Sequence, residues 1–215
     1  MLKRVITYII ALLMVTAVSV SAQAQNILAN PGFEEGAAGG GARPYNWNWF
    51  GNAYQEGTYD PFYPHTGSQL CSMYGNFSGS FNVSGIFQEY TCSEGDSYEM
   101  ACWARYSSND PMIGSQAEGG NWMVQKIAFF DAGNNEIGAV ESIILDGSFA
   151  ADTWHYSGGI TGTAPANTVK VQALVLYLQP SYDGGAGHVD DVAFGPAGTV
   201  DTENASWGEI KSRVR

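Results

Sequence analysis

The sequence predicts an all-β fold, a sandwich of two antiparallel sheets, followed by one short C-terminal helix. Three observations carry this. Apolar and polar residues alternate along short runs, the period of a strand with one buried face. Gly, Asn, Ser and Asp separate those runs, and glycine alone fills 27 of 215 positions. Past the first two dozen residues, a helical period is absent until the last ten.

Strands are expected at residues 68–74, 84–91, 97–106, 122–131, 136–145, 154–160, 168–178 and 188–194. Within 97–106, Tyr98, Met100, Cys102 and Ala104 share one face, suited to a core. Glu99, Ala101, Trp103 and Arg105 share the other, where a large aromatic sits beside polar groups. The DAGNN stretch at 131–135 is a turn. If residues 43–50 are extended, Tyr45, Trp47 and Trp49 fall on one face, and 51–66 reads as an aromatic-rich loop. After a polar stretch at 197–205, Ser206 and Glu209 match a capping box. Trp207, Ile210 and Val214 follow helical spacing there. Lys211, Arg213 and Arg215 gather near the end, where cations suit the helix dipole.

The first residues have the layout of a secretory signal peptide. Lys3 and Arg4 precede an uncharged, mostly apolar run at 5–20, and Ala22-Gln23-Ala24 offers small residues for cleavage after Ala24. The run is shorter than the roughly 20 residues of a spanning helix. Export to the outside, the periplasm or the cell surface is expected, with no membrane attachment after cleavage. About 190 residues remain, enough for one domain over 26–196 and a tail over 197–215.

The whole chain carries a net charge of −12, and loss of Lys3 and Arg4 leaves 7 basic against 21 acidic residues, or −14. That balance excludes nucleic acid, which demands clustered Lys and Arg. It also disfavours anionic membranes and acidic polysaccharides unless a cation bridges them. Cys71, Cys92 and Cys102 allow at most one internal disulfide; the alternative is three small buried apolar residues. No cysteine or histidine spacing suits zinc.

NILANPGFEEG at 26–36, TGSQLCSMYG at 66–75 and GIFQEYTCSEGDSYEMACWAR at 85–105 follow one another in a recognisable order. ADTWHYSG at 151–158, VKVQALVLY at 169–177 and GHVDDVAFGP at 187–196 complete it. The series resembles the carbohydrate-binding-module superfamily spanning families 4, 9, 16 and 22. NPGFE and VDDV, about 155 residues apart, are its more specific pieces. The resemblance implies a β-jelly-roll, non-catalytic glycan binding on the concave sheet or at loop tips, and a structural calcium. It places Glu34, Asp190 and Asp191 as candidate Ca²⁺ ligands if the first and last strands are neighbours. Ca²⁺ takes 6–8 oxygen ligands. Because neighbouring strand residues point to opposite faces, one of the two aspartates is expected as a side-chain ligand, with Asp191 preferred. Residues 26–28 are expected as the first strand.

Sugar binding needs flat aromatic surfaces and a few orienting polar groups. Trp47, Trp49, Tyr54, Trp103 and Trp122 are the aromatic candidates, and Arg105, Gln88, Gln125 and Gln172 the polar ones. Trp154 reads as structural. Two functions follow. One is a secreted, non-catalytic protein that holds a neutral polysaccharide or oligosaccharide. The other is an extracellular structural or adhesion protein that uses the jelly-roll for protein or self association, with the C-terminal tail as a docking element. His65, His155 and His188 show no nucleophile–base pattern, and GxSxG, HExxH and P-loop motifs do not occur. An acidic pair acting on a glycosidic bond is the remaining enzymatic reading.

Overall fold

The computed structural model describes residues 25–199, so the signal peptide and the C-terminal helix lie outside the described residues. Eleven strands form two antiparallel sheets. The first sheet runs β1 (Asn48–Phe50), β4 (Asn82–Thr91), β10 (Lys170–Gln179), β6 (Trp122–Phe130), β7 (Glu136–Asp146). The second runs β2 (Asn52–Gly57), β3 (Gln69–Tyr74), β11 (Gly187–Pro196), β5 (Ser97–Tyr106), β8 (His155–Tyr156), with β9 (Ile160–Thr163) also on β5. This is the predicted β-sandwich.

Period-two patterning builds it. In β10, Val171, Ala173, Val175 and Tyr177 are buried, while Gln172, Leu174, Leu176 and Leu178 point outward. In β5, Tyr98, Met100, Cys102 and Ala104 enter the core as the alternation required. Ile86, Ile127 and Phe129 meet Met73, Val189 and Phe194 between the sheets. Each fully buried side chain of this size contributes about 1.5–3 kcal/mol. The three cysteines are free. Burial pushes the Cys102 thiol up to about 12 and the Cys71 thiol up as well, so both act as apolar fillers.

Four stretches depart from expectation. The strand expected at 154–160 is split into β8 and β9, with 157–159 outside both. Residues 43–50 are not extended throughout: Trp47 N–H donates to Pro44 O and Asn46 has φ +66, so a turn precedes β1. Tyr45, Trp47 and Trp49 therefore do not share a face. The expected loop at 51–66 contains β2. Gly51 makes the passage from β1 to β2 feasible: its φ is +64, and a Cβ there would lie 2.9 Å from Ser84 Cα. Residues 26–28 run beside β11 without forming a regular strand. Ile27 N–H donates to Phe194 O, but the Asn26 side chain takes the Phe194 N–H, where a backbone carbonyl would complete a ladder.

Candidate functional site

Three surfaces divide the sequence-nominated residues. The first lies where β1 crosses to β2. Arg43 is clamped between two of them, its Cζ 3.8 Å from the Trp49 ring centroid and 4.2 Å from that of Tyr54. Its Nη1 donates to Ala53 O at 2.8 Å, which fixes the guanidinium. Tyr54 and Tyr74 lie at 5.6 Å and 15°, and Tyr74 and Phe77 at 6.4 Å and 22°. Such separations describe offset parallel rings. Tyr54 and Tyr74 are diagonal neighbours on the outer face of the β2–β3 pair, since Tyr54 opposes Ser72 and Tyr74 opposes Asn52. Trp49 and Phe77 are each 44% exposed, so both ends of the row are open. Burial, and then the Tyr54 hydroxyl, push the Tyr74 hydroxyl up to about 12, so it stays a neutral donor.

The second surface is the outer face of β11 and β5, and it is roofed. Residues 58–68, between β2 and β3, fold back across the sheet as a strap. The His65 ring stacks on Trp103 at 4.0 Å and 17°, and Phe62 meets His188 edge-on at 5.2 Å. The Tyr63 carbonyl accepts from Arg105 Nη1 at 3.3 Å and Trp154 Nε1 at 3.0 Å. Arg105 Nη2 also pairs with Asp152 at 3.0 Å. Arg105 is 3% exposed and His188 0%. Among the described residues, Arg105 Nε and both His188 ring nitrogens have no hydrogen-bond partner. Burial, and then the Arg105 charge, push His188 down to about 3, so it is neutral.

The strap is anchored on Asp190 and Asp191. His65 N–H and Thr66 N–H donate to Asp190 Oδ2 at 2.8 and 3.2 Å. Asp191 accepts from Thr66 Oγ1 at 2.8 Å and pairs with His65 Nδ1 at 2.7 Å. The alternation argument, which admitted one aspartate, fails here because β11 is irregular between Asp190 and Ala193 and Asp191 has φ +46. Both carboxylates turn toward Gly32: a Cβ there would lie 3.2 Å from Asp191 Oδ1 and 3.8 Å from Asp190 Oδ1. Burial and the Asp191 charge hold the Asp190 carboxyl well above the usual range. Glu34 borders the same cavity of about 470 Å³, with Asn30, Gly32, Thr66 and Asp191. Its carboxylate, however, accepts from Ser68 N–H, Ser68 Oγ and Gln69 N–H, each at 2.9 Å. Among the described residues, no three His, Cys, Asp or Glu side chains converge as a metal cluster. The aspartate pair supplies hard oxygens of the kind Ca²⁺ takes, each of which already has a hydrogen-bond partner in the strap or, at Asp190 Oδ1, in the Asp191 N–H, and further ligands would have to be amide or backbone oxygens.

The third surface is the outer face of the first sheet. Trp122 lies there, 6.3 Å from Phe81, beside a groove lined by Gln116, Glu141, Ser142, Ile143, Leu176 and Leu178. Trp47 is on none of these surfaces. It is 5% exposed, stacks on Phe33 at 5.6 Å and donates from Nε1 to Asn30 O, which makes it a core residue rather than a platform. Gln88 and Gln125 turn inward, to Ala29 and to Gly158. Gln172 donates to Glu89. Sequence reasoning missed Arg43, Tyr74, Phe77 and the strap. Placing β2 at 52–57 would have paired Tyr54 diagonally with Tyr74. Nothing in the periodicity announces that a loop folds back over its own sheet.

No family model and no curated protein sequence matches the chain. Solved structures share its fold. An arabinose-bound GH51 α-L-arabinofuranosidase is 11% identical, covering 82% of this chain and 27% of that one, with a TM-score of 0.55. The apo form of a cyclase from Fischerella sp. is 14% identical, covering 80% and 96%, with a TM-score of 0.53. The enzymatically active domain of bacteriophage CBA120 tailspike protein 4 is 15% identical with a TM-score of 0.50; the chain spans about a fifth of its length. Carbohydrate-binding modules of families 61, 16 and 22 also match, at TM-scores of 0.43 to 0.49 and identities of 13 to 18%. At these identities the likeness is one of fold.

Proposed function

We propose that this chain is an exported, non-catalytic carbohydrate-binding protein that holds a neutral glycan on the Trp49–Tyr54–Tyr74–Phe77 row. The single observation behind this is the open row of parallel rings with Arg43 pinned between Tyr54 and Trp49. Aromatic faces bury the C–H faces of pyranose rings, and neighbouring donors fix the hydroxyls. The row is held before ligand arrives, so binding orders few side chains. The acidic surface suits a neutral chain better than a polyanion. A glycan array with residues 25–215 tests the reading. Tyr54→Ala is expected to weaken the best neutral ligand about tenfold, or about 1.4 kcal/mol, while leaving the melting temperature nearly unchanged. Silence across plant, algal and microbial neutral glycans would remove it.

The proposal includes one structural Ca²⁺ held by Asp190 and Asp191. The reason is two buried carboxylates side by side, faced by a single histidine. With Ca²⁺ at a hundred times its Kd, linkage gives about 2.7 kcal/mol of stability. EDTA should then lower the melting temperature by about 5–10 °C. An unchanged melt would rule the ion out.

A second reading, self or protein association, rests on a different observation: the outer face of the first sheet exposes Phe50, Phe81 and Ile143 at 37, 59 and 43%. Sedimentation of the mature chain decides it, since a monomer at high concentration excludes self-association.

A further inference from the structure

We infer that the strap is a lid over a second sugar subsite, in which Trp103 is the stacking surface and Arg105 and His188 are the hydroxyl partners. The inference rests on the neutral-glycan reading above but on a different face. The strap occupies that face as a sugar would. It lays a flat ring, His65, on Trp103 at 4.0 Å. It gives one oxygen, the Tyr63 carbonyl, to both Arg105 Nη1 and Trp154 Nε1. The imitation is incomplete. Arg105 Nε and both nitrogens of the fully buried His188 are left without partners among the described residues. A buried polar group without a partner is left with its desolvation cost unrecovered, so the closed arrangement is not the one this face satisfies best. A neutral imidazole offers one donor and one acceptor, and a sugar hydroxyl is the complementary pair. Asp152 balances the Arg105 charge at 3.0 Å, which favours a neutral sugar over an anionic one.

The strap is also built as a removable piece. It is the whole connection of an antiparallel pair whose last register partners are Gly57 and Gln69. Its ends already meet, since Thr58 Oγ1 donates to Ser68 O at 2.9 Å. A two-residue turn can therefore replace it without altering either strand. While the strap is closed, the apparent affinity of the subsite is reduced by the small fraction of open molecules.

The test is calorimetric titration with cellohexaose, xylohexaose and β-1,4-galactotriose. Four proteins are compared: the mature chain, a variant with Asn-Gly in place of residues 58–68, that variant carrying Trp103→Ala, and that variant carrying Tyr54→Ala. The strapless variant should bind at least tenfold more tightly or show a second site. Trp103→Ala should abolish that gain, and Tyr54→Ala should leave it. If the strapless variant misfolds, Phe62→Ala with His65→Ala in the full chain frees the same face and carries the same expectation. A folded strap-free protein that binds no better than the mature chain, or a gain that survives Trp103→Ala, overturns the lid; His188 then pairs with a trapped water only. Binding by the strapless variant but not by the mature chain keeps the lid and removes the open row. Failure of every protein removes both.

Discussion

The two outer faces of the sandwich obey the same alternation and end up in opposite situations. On the first sheet, Leu174, Leu176, Leu178 and Trp122 stay half-exposed, and Ile143 is 43% exposed, with Val124 a buried member of this face. On the second, Arg105 and His188 are polar, outward-facing and buried. Periodicity says which side of a strand faces the partner sheet. It does not say what covers the other side. Here one hairpin connection decides that, and burial follows the connection rather than residue type.

The largest test of the contrast compares two tryptophans. Trp103 stacks on His65 at 4.0 Å and packs on Tyr156 at 5.3 Å, so its loss unseats the strap as well as its own contacts. Trp103→Ala should cost about 3 kcal/mol in urea denaturation, near the low end for large aromatics in cores. Among the described residues Trp122 has one aromatic neighbour, Phe81, which is itself 59% exposed. Trp122→Ala should cost about 1 kcal/mol. Equal costs would mean that the faces do not differ as described.

Loop anchoring differs too. A carboxylate pair on β11 ties the strap, whereas Asp146 alone ties the loop beside β7. Asp146 accepts from Gln116 N–H at 3.0 Å, Ser148 N–H at 2.9 Å and Ser148 Oγ at 2.5 Å. Burial opposes its charge, but the Ser148 and Gln116 bonds outweigh burial and hold the carboxyl below its usual value. A lowered folded-state value contributes stability above the unfolded value of about 3.9, and that stability is lost as pH falls through the folded one. Asp146→Asn should cost about 1–2 kcal/mol at pH 7. It should also flatten the decline in stability below about pH 4. An unchanged acid limb would show that this anchor carries no charge-linked stability.

Much of the fold was legible. The turn at 131–135 closes through Asp131, and β5 presents the predicted core face. These are local readings, in which spacing alone fixes orientation. The candidate site was legible only in part. Trp49 and Tyr54 were nominated, but Arg43, the group between them, opens the 43–50 segment, where the turn at Asn46 breaks the alternation that would have placed it. Trp47 was nominated for its type and is buried because the turn at Asn46 flips it inward. Trp103 and Arg105 were placed outward, and they are outward; their cover comes from residues forty positions earlier. Asp190 and Asp191 share a side because β11 is irregular between Asp190 and Ala193, which no two-residue rule anticipates.

The smallest effect is expected on the bare face, and it is the sharpest check on the comparison. Leu176 lies on β10 between Gly85 of β4 and Val124 of β6, with Phe50 close over Gly85. If this face is open in solution, a lysine at 176 keeps its stem on the neighbouring apolar surface and sends its ammonium to water. Leu176→Lys should then cost about 0.5 kcal/mol, shifting the melting temperature by about 1–2 °C. A cost above about 2 kcal/mol would mean that something covers the face. Loss of an oligomer seen by sedimentation would identify that cover as a second copy. If both the melt and the sedimentation profile are unchanged, the apolar face is solvent-facing, and the contrast with the roofed sheet holds in solution.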